Sequence, residues 1–399
     1  MLEAVLKQPT ITHAPSARRP FSRLGLSARH VELVERLDAL AAERIAPRAD
    51  KTDLDASFPD EDIVDLHRAG LLLATLPEQD GGLGYGFEGN DPLSFFLIIE
   101  RLARANPSTA HCYQVHCNAL QILRAFGSNE QVKRFIQPTI DRGMLFVGAG
   151  SEPGGGRHSS TAVPVEGGFT INGVKHYATN ATRCEWMTVH VRSESSNLIE
   201  TFVVNTSSEG VEIDASVWNP GGMRACVSPL LRFKDCFVPN DCVLGHPEGF
   251  FGERWLAKIN FGFTANYLGA TQGIYDFAVS YLRDRGRKDT AQYQAHVGEM
   301  KAMLDAARLL FYRAVAATRE DLTQGLLMSN EAKWLAVDVA HRVISTVGQV
   351  VGSTGFFRGL VLERLCRDLQ VHTLHRRHHV GATLVGLAEL GMAYDLNNS

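Results

Sequence analysis

Apolar positions in the first third of the chain recur at helical spacing. Between residues 28 and 45 they form one stripe from Val31 to Ala41, and Ser27 precedes the stripe as an N-cap. This pattern predicts a helix that ends before Pro47. The same criteria predict further helices at 60–69, 92–105, 108–127 and 129–143.

The pattern changes after Gly143, where short β-branched and aromatic runs alternate with turn residues such as Gly167 and Gly168. It is typical of a small antiparallel β-domain. The predicted strands are 146–150, 161–165, 169–172, 186–191, 201–204, 211–213 and 230–233.

Long helical periods return beyond Gly249 and are typical of a four-helix bundle. The predicted helices are 251–283, 293–323, 330–351 and 360–390. The chain is therefore expected to have an α+β fold with an N-terminal helical domain, a central β-domain and a C-terminal helical bundle. The expected domain boundaries are 1–143, 144–246 and 247–399.

Charge and cysteine content narrow the class of protein. The formal net charge of -4 argues against a general nucleic-acid or membrane-surface binder. The seven cysteines are scattered, which favours reduced thiols in a cytoplasmic protein. The spacing of Cys112 and Cys117 is poor for chelation from a helix, so no metal site is expected. The first 23 residues lack the apolar core of a signal peptide and are expected to form a loose arm.

Several local motifs follow one another in a recognisable order. In this order they resemble the acyl-CoA dehydrogenase superfamily over nearly the whole chain. They are the turn at 76–84, the Glu-Pro loop at 150–156, the strand at 171–181, the glycine segment at 349–356 and the pair Arg367-Asp368. The resemblance implies the acyl-CoA dehydrogenase fold and a bound flavin, either FMN or FAD.

The resemblance also assigns residues to the flavin ring. Ser151 of the Glu-Pro loop would bond its pyrimidine edge, Tyr177 would pack on the ring system, and the Thr179 hydroxyl would approach N5. Taken singly, Tyr177 and Thr179 would be read as ordinary strand residues.

A second group of positions matches contacts to the cofactor of a neighbouring subunit, which implies a homotetramer. Arg285 or Arg287 would grip the flavin phosphate, and Gln349 and Gly352 would approach the partner's cofactor. A solvated helix end would equally explain either arginine, and helix termination would explain Gly352.

The residue that should perform dehydrogenation is absent from the sequence. The catalytic glutamate of the superfamily falls on Arg376, and a guanidinium cannot act as a base at any working pH. A second family position for the base falls on Ile259 or Lys258, and the nearest carboxylate, Glu253, is more than a helical turn away.

Histidines occupy the expected active-site wall instead. His372 and His375 lie at i,i+3 spacing on one helical face, and His116 is expected on the helix lining the flavin's substrate side. His111, on a different face from His116, is expected to be structural. This combination resembles the flavin-dependent monooxygenases of the same fold, such as the dibenzothiophene monooxygenases, aromatic hydroxylases and nitrososynthases.

The leading hypothesis is therefore a two-component monooxygenase acting through a flavin C4a-hydroperoxide. Reduced FMN or FAD would come from a separate NAD(P)H-dependent flavin reductase, and O2 would oxygenate a small aromatic or S/N-containing substrate. His116, Thr179, His372 and His375 would be the catalytic residues. The alternatives are an acyl-CoA dehydrogenase with a displaced base and a non-catalytic flavin-fold subunit.

Overall fold

A computed structural model describes residues 25–155, 159–375 and 378–398 of the chain. The predicted N-terminal arm and Arg376 lie outside these residues. Within them, a helical region, a β-sheet region and a second helical region follow one another, in agreement with the predicted α+β fold. The exact domain boundaries stay predictions.

The first helix runs further than the sequence predicted. Helix α1 (Ala28–Leu40) continues through a π-helical turn (Ala41–Ile45) into α2 (Ala46–Leu54). The predicted end before Pro47 is wrong, because the proline lies in the first turn of α2. There the wider π-turn already displaces the usual hydrogen bonds, so the missing N–H costs little.

Four more helices complete the N-terminal region, and all four begin and end within about two residues of their predicted bounds. They are α3 (Asp60–Arg68), α4 (Pro92–Ala105), α5 (Pro107–Phe126) and α6 (Asn129–Arg142). The N-cap of α5 is Asn106, so this helix begins one residue before its predicted start at residue 108. The Asn106 side-chain oxygen accepts from the N–H groups of Ser108 and Thr109 at 3.1 and 3.4 Å.

The β-region is a single eight-stranded sheet in which the order is β6-β7-β3-β2-β4-β5-β8 and β1 pairs with β4. Its strands are β1 (Leu145–Ala149), β2 (Thr161–Val165), β3 (Gly168–Lys175), β4 (Cys184–Ser193), β5 (Ile199–Asn205), β6 (Val211–Asp214), β7 (Leu230–Pro239) and β8 (Val243–Leu244). The prediction of a purely antiparallel domain is wrong, because β1 and β2 both pair parallel to β4. These pairs join strands that are distant in sequence, so no turn motif reports them.

The C-terminal region consists of a short helix followed by longer helices, which pack mainly on one another. They are the short α7 (Gly249–Gly252), then α8 (Trp255–Asp284), α9 (Ala291–Glu320), α10 (Leu322–Val351), α11 (Val361–Thr373) and α12 (His378–Glu389). Asp321 alone joins α9 to α10, and its side chain caps α10 by accepting from the Gln324 N–H. The third bundle helix therefore begins eight residues before its predicted start at residue 330.

The single helix predicted over 360–390 is two helices. The carbonyl of His372 accepts a hydrogen bond of 3.1 Å from the Tyr267 hydroxyl of α8. The same carbonyl also accepts from the His375 N–H, three residues later, at 3.1 Å, so the chain tightens at the end of α11. A tertiary contact thus stabilises the helix end where the sequence has neither glycine nor proline.

Helix α5 is buried on almost every side. Its first half contributes Ala110 and Tyr113 to the core shared by the two helical regions, and its second half contributes Leu120 and Leu123 to the core under the sheet. Two side chains on this helix can therefore face entirely different parts of the molecule. None of the helices in the described residues is long and apolar enough to cross a bilayer.

Candidate active site

Three histidines from two separate parts of the chain meet between α5, α8 and α11. The ring of His111 lies 4.9 Å from that of His372 and 6.1 Å from that of His375, measured between ring centroids. Phe263 of α8 contacts all three rings, at 5.3 to 5.6 Å. We call these three residues the histidine cluster.

His372 is the most deeply enclosed member of the cluster. It is 4 % exposed, and neither of its ring nitrogens has a hydrogen-bond partner among the described residues. Burial, together with the neighbouring His111 and His375, holds the pKa of His372 well below its usual range. The ring is therefore neutral near pH 7, with one nitrogen able to donate and the other able to accept.

His375 lies at the open side of the cluster, next to the end of strand β3. Its ring is exposed and lies 5.6 Å from the ring of Tyr177. Tyr177 is 51 % exposed, its backbone has a φ of +52°, and its ring also contacts His176 and Trp218. A left-handed conformation is costly for an aromatic residue, which makes this position a candidate functional site.

Thr179 is buried two residues further along. Its Oγ1 lies 2.7 Å from the Ser228 Oγ, which in turn lies 2.7 Å from the carbonyl oxygen of Cys226. Since a carbonyl can only accept, Ser228 donates to Cys226, and Thr179 then donates to Ser228. This leaves the lone pairs of Thr179 Oγ1 able to accept a hydrogen bond from a bound molecule.

Ser151 lies beside this strand end in an exposed position. Its carbonyl accepts a 3.0 Å hydrogen bond from the His176 N–H. The next residue, Glu152, is buried and paired at 2.5 Å with the Lys175 ammonium. The Glu-Pro loop is thus fixed to the end of β3, and the structure brings Ser151, Tyr177 and Thr179 into one region.

His116 does not belong to the histidine cluster. It is completely buried, its Nε2–H donates to the carbonyl of Leu72 at 2.9 Å, and its Nδ1 accepts from the Phe146 N–H at 2.7 Å. Burial lowers its pKa to about 4. With both nitrogens occupied by backbone groups, the geometry does not support the catalytic role predicted for His116.

It is His111, not His116, that lies beside His372 and His375, so the expected positions of the two α5 histidines are exchanged. The helical wheel of α5 carries the relevant signal, since five residues correspond to a rotation of about 140°. The sequence does not show which of the two faces is turned towards the cleft.

The residues predicted to contact a neighbouring subunit lie at one end of the bundle. Arg285 and Arg287 are exposed, and the Arg285 guanidinium lies 5.3 Å from the ring centre of Tyr281. The Tyr281 hydroxyl donates to the carbonyl of Val351 at 3.3 Å, beside the helix-ending Gly352. Gln349 is exposed on the same last turn. The contact between α8 and α10 through Tyr281 places Arg285 near the helix end at Gly352, and the role of all four residues across a subunit boundary stays a prediction.

Lys258 and Ile259 are the two residues expected at the second position for the base, and neither is a carboxylate. The Lys258 ammonium is buried against Trp255 at 4.3 Å and pairs at 2.8 Å with the Glu88 carboxylate. Ile259 is half-buried beside it. Glu253 is exposed, and its carboxylate accepts from the Trp255 indole N–H at 3.3 Å.

The strand end has features that fit a flat ring system such as a flavin. The Tyr177 ring is exposed beside His375, and Thr179 offers an acceptor. The adjacent Asn180 is completely buried, donates to the Cys112 carbonyl, and keeps its Oδ1 without a partner among the described residues. An orphaned acceptor beside an exposed aromatic ring is consistent with a missing polar ligand.

The chain matches the models of all three acyl-CoA dehydrogenase domains. The N-terminal domain matches residues 27–142, the middle domain 148–236 and the C-terminal domain 261–380. The probable acyl-CoA dehydrogenase FadE25 of Mycobacterium tuberculosis is 27 % identical over 370 residues, which cover 89 % of this chain and 93 % of the relative.

Solved structures of this fold include both dehydrogenase and monooxygenase. Butyryl-CoA dehydrogenase from Megasphaera elsdenii matches with a TM-score of 0.84 and 23 % identity, covering 92 % of this chain and 99 % of its own. FMN-bound TdsC from Paenibacillus sp. A11-2, a dibenzothiophene monooxygenase, matches with a TM-score of 0.83 and 20 % identity over 93 % and 100 % of the two chains. At these identities the structural matches show the fold, and together with the three domain matches they show that this chain belongs to the acyl-CoA dehydrogenase family.

Proposed function

We propose that this chain is a flavin-dependent monooxygenase that oxygenates a small aromatic or S/N-containing substrate. Its family supports the broader class of flavin-dependent oxidoreductase, with FMN or FAD as cofactor. The proposal adds O2 as co-substrate and a separate NAD(P)H-dependent reductase as the source of reduced flavin. The observation that carries it is the histidine cluster beside Tyr177, combined with a basic or apolar residue at each position where the family places its base.

The cofactor would be held by Ser151, Tyr177 and Thr179. Reduced flavin, when bound, supplies the two electrons with which one atom of O2 enters the substrate and the other leaves as water. The Thr179 Oγ1 would accept a hydrogen bond from a ring N–H of the flavin, since its own proton is directed to Ser228. Phe263 packs against the histidine cluster and keeps water from its inner side.

Proton delivery is assigned to the histidine cluster. His375 is exposed and can take a proton from solvent, whereas His372 is neutral and enclosed. A neutral imidazole can accept a proton on one nitrogen and release one from the other. His111 completes the cluster from α5, and the three rings can provide the proton needed when water is released.

Glu88 supports the dehydrogenase alternative. Its carboxylate lies 2.8 Å from the ammonium of Lys258, and Lys258 is on the α8 segment where some family members carry the base. In that case Glu88 would be a displaced base and an acyl-CoA would be the substrate.

Rapid mixing distinguishes these possibilities. The protein is loaded with anaerobically reduced FMN and mixed with oxygenated buffer, and the return of flavin absorbance is followed. In a monooxygenase, reoxidation of the bound flavin should be slower than that of free FMN and should occur in two phases. The substrate should accelerate the second phase. Single-phase reoxidation at the rate of free FMN would contradict the proposal. Anaerobic bleaching of bound FAD by butyryl-CoA would favour the dehydrogenase, and inertness in both assays would favour a non-catalytic subunit.

A further inference from the structure

A buried glutamine beside the histidine cluster has no partner for its side chain. Gln114 of α5 is 0 % exposed, and neither its amide nitrogen nor its amide oxygen makes a hydrogen bond within the described residues. Buried polar groups in folded proteins are nearly always paired, because an unpaired one keeps the full cost of its desolvation. Two orphaned atoms on one side chain therefore call for a functional explanation.

The position of Gln114 links it to the proposed active site. It lies one helical turn after His111, and its carboxamide packs against Gly262, directly before Phe263 of the cluster. A side chain on Gly262 would begin 2.7 Å from the Gln114 carboxamide carbon. The glycine thus leaves room for this amide between α5 and α8.

Beyond Gln114, the same face of α5 lines a narrow crevice, whose walls include Gln121 and Lys258 but not Gln114 itself. Asn118, one turn beyond Gln114, is half-buried and lines this crevice. Its other walls are mostly aromatic and include Phe87, Phe96 and Trp255. A polar stripe within aromatic surroundings therefore extends away from the histidine cluster, over about 10 Å of helix from His111 to Asn118.

Gln121 on the same helix provides an internal comparison. It is also buried, but its oxygen accepts from the Phe87 N–H at 2.5 Å and its nitrogen donates to the Cys117 carbonyl at 3.3 Å. Both ends of this amide have backbone partners, so Gln121 stabilises the fold. Gln114 has the same chemistry and the same burial without those partners.

We infer that Gln114 is a specificity-determining residue that hydrogen-bonds a polar group of the substrate. A carboxamide offers one donor and one acceptor side, so the matching substrate is an aromatic compound that bears an N–H, hydroxyl or carbonyl group. A plain hydrocarbon or thioether ring would leave the amide unpaired and bind less tightly. The inference rests on the proposed function where it calls the bound compound a substrate. The binding of a polar aromatic compound at Gln114 does not depend on which reaction the protein catalyses.

Replacement of each glutamine by the similarly shaped but apolar methionine tests the first half of the inference. Gln114→Met should raise the melting temperature of the protein by about 2 °C, because it removes a polar group that has no partner. Gln121→Met should lower it, since the buried Phe87 N–H loses its acceptor. If Gln114→Met lowers the melting temperature as Gln121→Met does, the amide is satisfied in the fold and the inference is wrong.

Binding of two isosteric probes tests the second half. Indole and benzothiophene differ in an N–H against a sulfur, and their affinities are measured by calorimetry with the flavin-loaded protein. The wild type should bind indole about tenfold more tightly, which corresponds to one hydrogen bond, and Gln114→Met should bind both equally. Equal affinities in the wild type, absence of binding by both, or a preference that survives Gln114→Met would overturn the inference.

The two proposals can fail separately. If the rapid-mixing test shows no monooxygenase behaviour but the probes bind as expected, the reaction is wrong and the polar subsite remains. If reoxidation is delayed but Gln114→Met leaves the indole preference intact, the reaction remains and the subsite is wrong.

Discussion

Helix α5 carries two histidines that are five residues apart and have opposite environments. His116 is bonded on both ring nitrogens by backbone groups of Leu72 and Phe146. His111 faces α8 and α11, where it contacts the ring of His372, whose nitrogens have no hydrogen-bond partner among the described residues. The difference separates a histidine whose nitrogens are bonded to the backbone from a histidine that packs against the ring of His372.

This comparison teaches that burial alone does not identify an active-site histidine. His116 and His372 are both buried, and burial lowers the pKa of both. What distinguishes them is whether the backbone has already used their nitrogens. The partners of a buried polar group, rather than its depth, indicate its role.

The largest expected effect is on catalysis, from His375→Ala. We expect turnover to fall by roughly 100-fold or more, which is the usual contribution of one acid–base group. The melting temperature should not change, because His375 is exposed at the rim of the cluster. Steady-state oxygenation with reduced FMN measures the first quantity and thermal unfolding the second. His379→Ala, at an exposed position on α12, is the matched control; equal activities of the two variants would remove His375 from the mechanism.

His116→Ala should have the opposite effect: the protein should lose stability and keep its catalytic activity. Removing the ring leaves the Leu72 carbonyl and the Phe146 N–H buried without partners. At about 1–3 kcal/mol for each group, the free energy of unfolding should fall by about 3 kcal/mol. Denaturant titration measures this loss, and turnover per folded molecule should stay near the wild-type value. A stable variant without activity would return His116 to the active site.

Lowering the pH should reduce the stability that His116 contributes to the fold. The pKa of His116 is about 4 in the folded protein, against about 6.5 when unfolded, so the unfolded chain binds more protons between these values. Stability from this residue is therefore lost as the pH falls from 6.5 to 4, by up to about 3 kcal/mol.

Two buried carboxyls act in the opposite direction. Burial raises the pKa of Asp62 and of Asp368 to about 6, so the folded form binds more protons there and gains stability as the pH falls through that range. The measurement is therefore a difference in unfolding free energy between wild type and His116→Gln, at pH 7 and at pH 4.5. If both proteins lose stability equally on acidification, His116 is not the titrating group.

The smallest expected effect concerns Thr179, which has features of both environments. Its proton is directed to Ser228, and its lone pairs are available to a ligand. Thr179→Val keeps the shape and should lower turnover by about tenfold, the value of one hydrogen bond. Thr179→Ser should keep most of the activity, and rapid kinetics of flavin reoxidation provide the readout. Unchanged kinetics in the valine variant would show that the hydroxyl serves Ser228 alone.

Much of the fold could be predicted from the chain because local rules fixed the elements. Ser128 and Gly143, for example, cap the two ends of α6, which was predicted over 129–143. The break after Thr373 could not be predicted, because the Tyr267 hydroxyl that stabilises it comes from a helix about a hundred residues away. The same holds for the parallel pairing of β1 and β2 with β4, which depends on strands distant in sequence.

The candidate site was predicted in the same uneven way. The family motifs predicted Tyr177, Thr179, His372 and His375. In the structure the ring of Tyr177 contacts that of His375, and the rings of His372 and His375 both contact Phe263. His111 was expected to be structural, whereas the structure places it in the histidine cluster, and the sequence did not single out Gln114. Both positions depend on the direction in which a fully buried helix turns its polar side chains, for which its sequence has no amphipathic signal.

The sequence by itself determined the order of helical, strand and helical regions, the N-cap Ser27 of the first helix, and the residue types at the positions where the family is expected to place its base. Periodicity, capping and residue identity are local properties, so they can be read along the chain. Only the tertiary structure decided which histidine meets which, and which buried amide stays unpaired. Those facts depend on the partners that packing brings to each side chain, and a buried polar group takes its role from its partners.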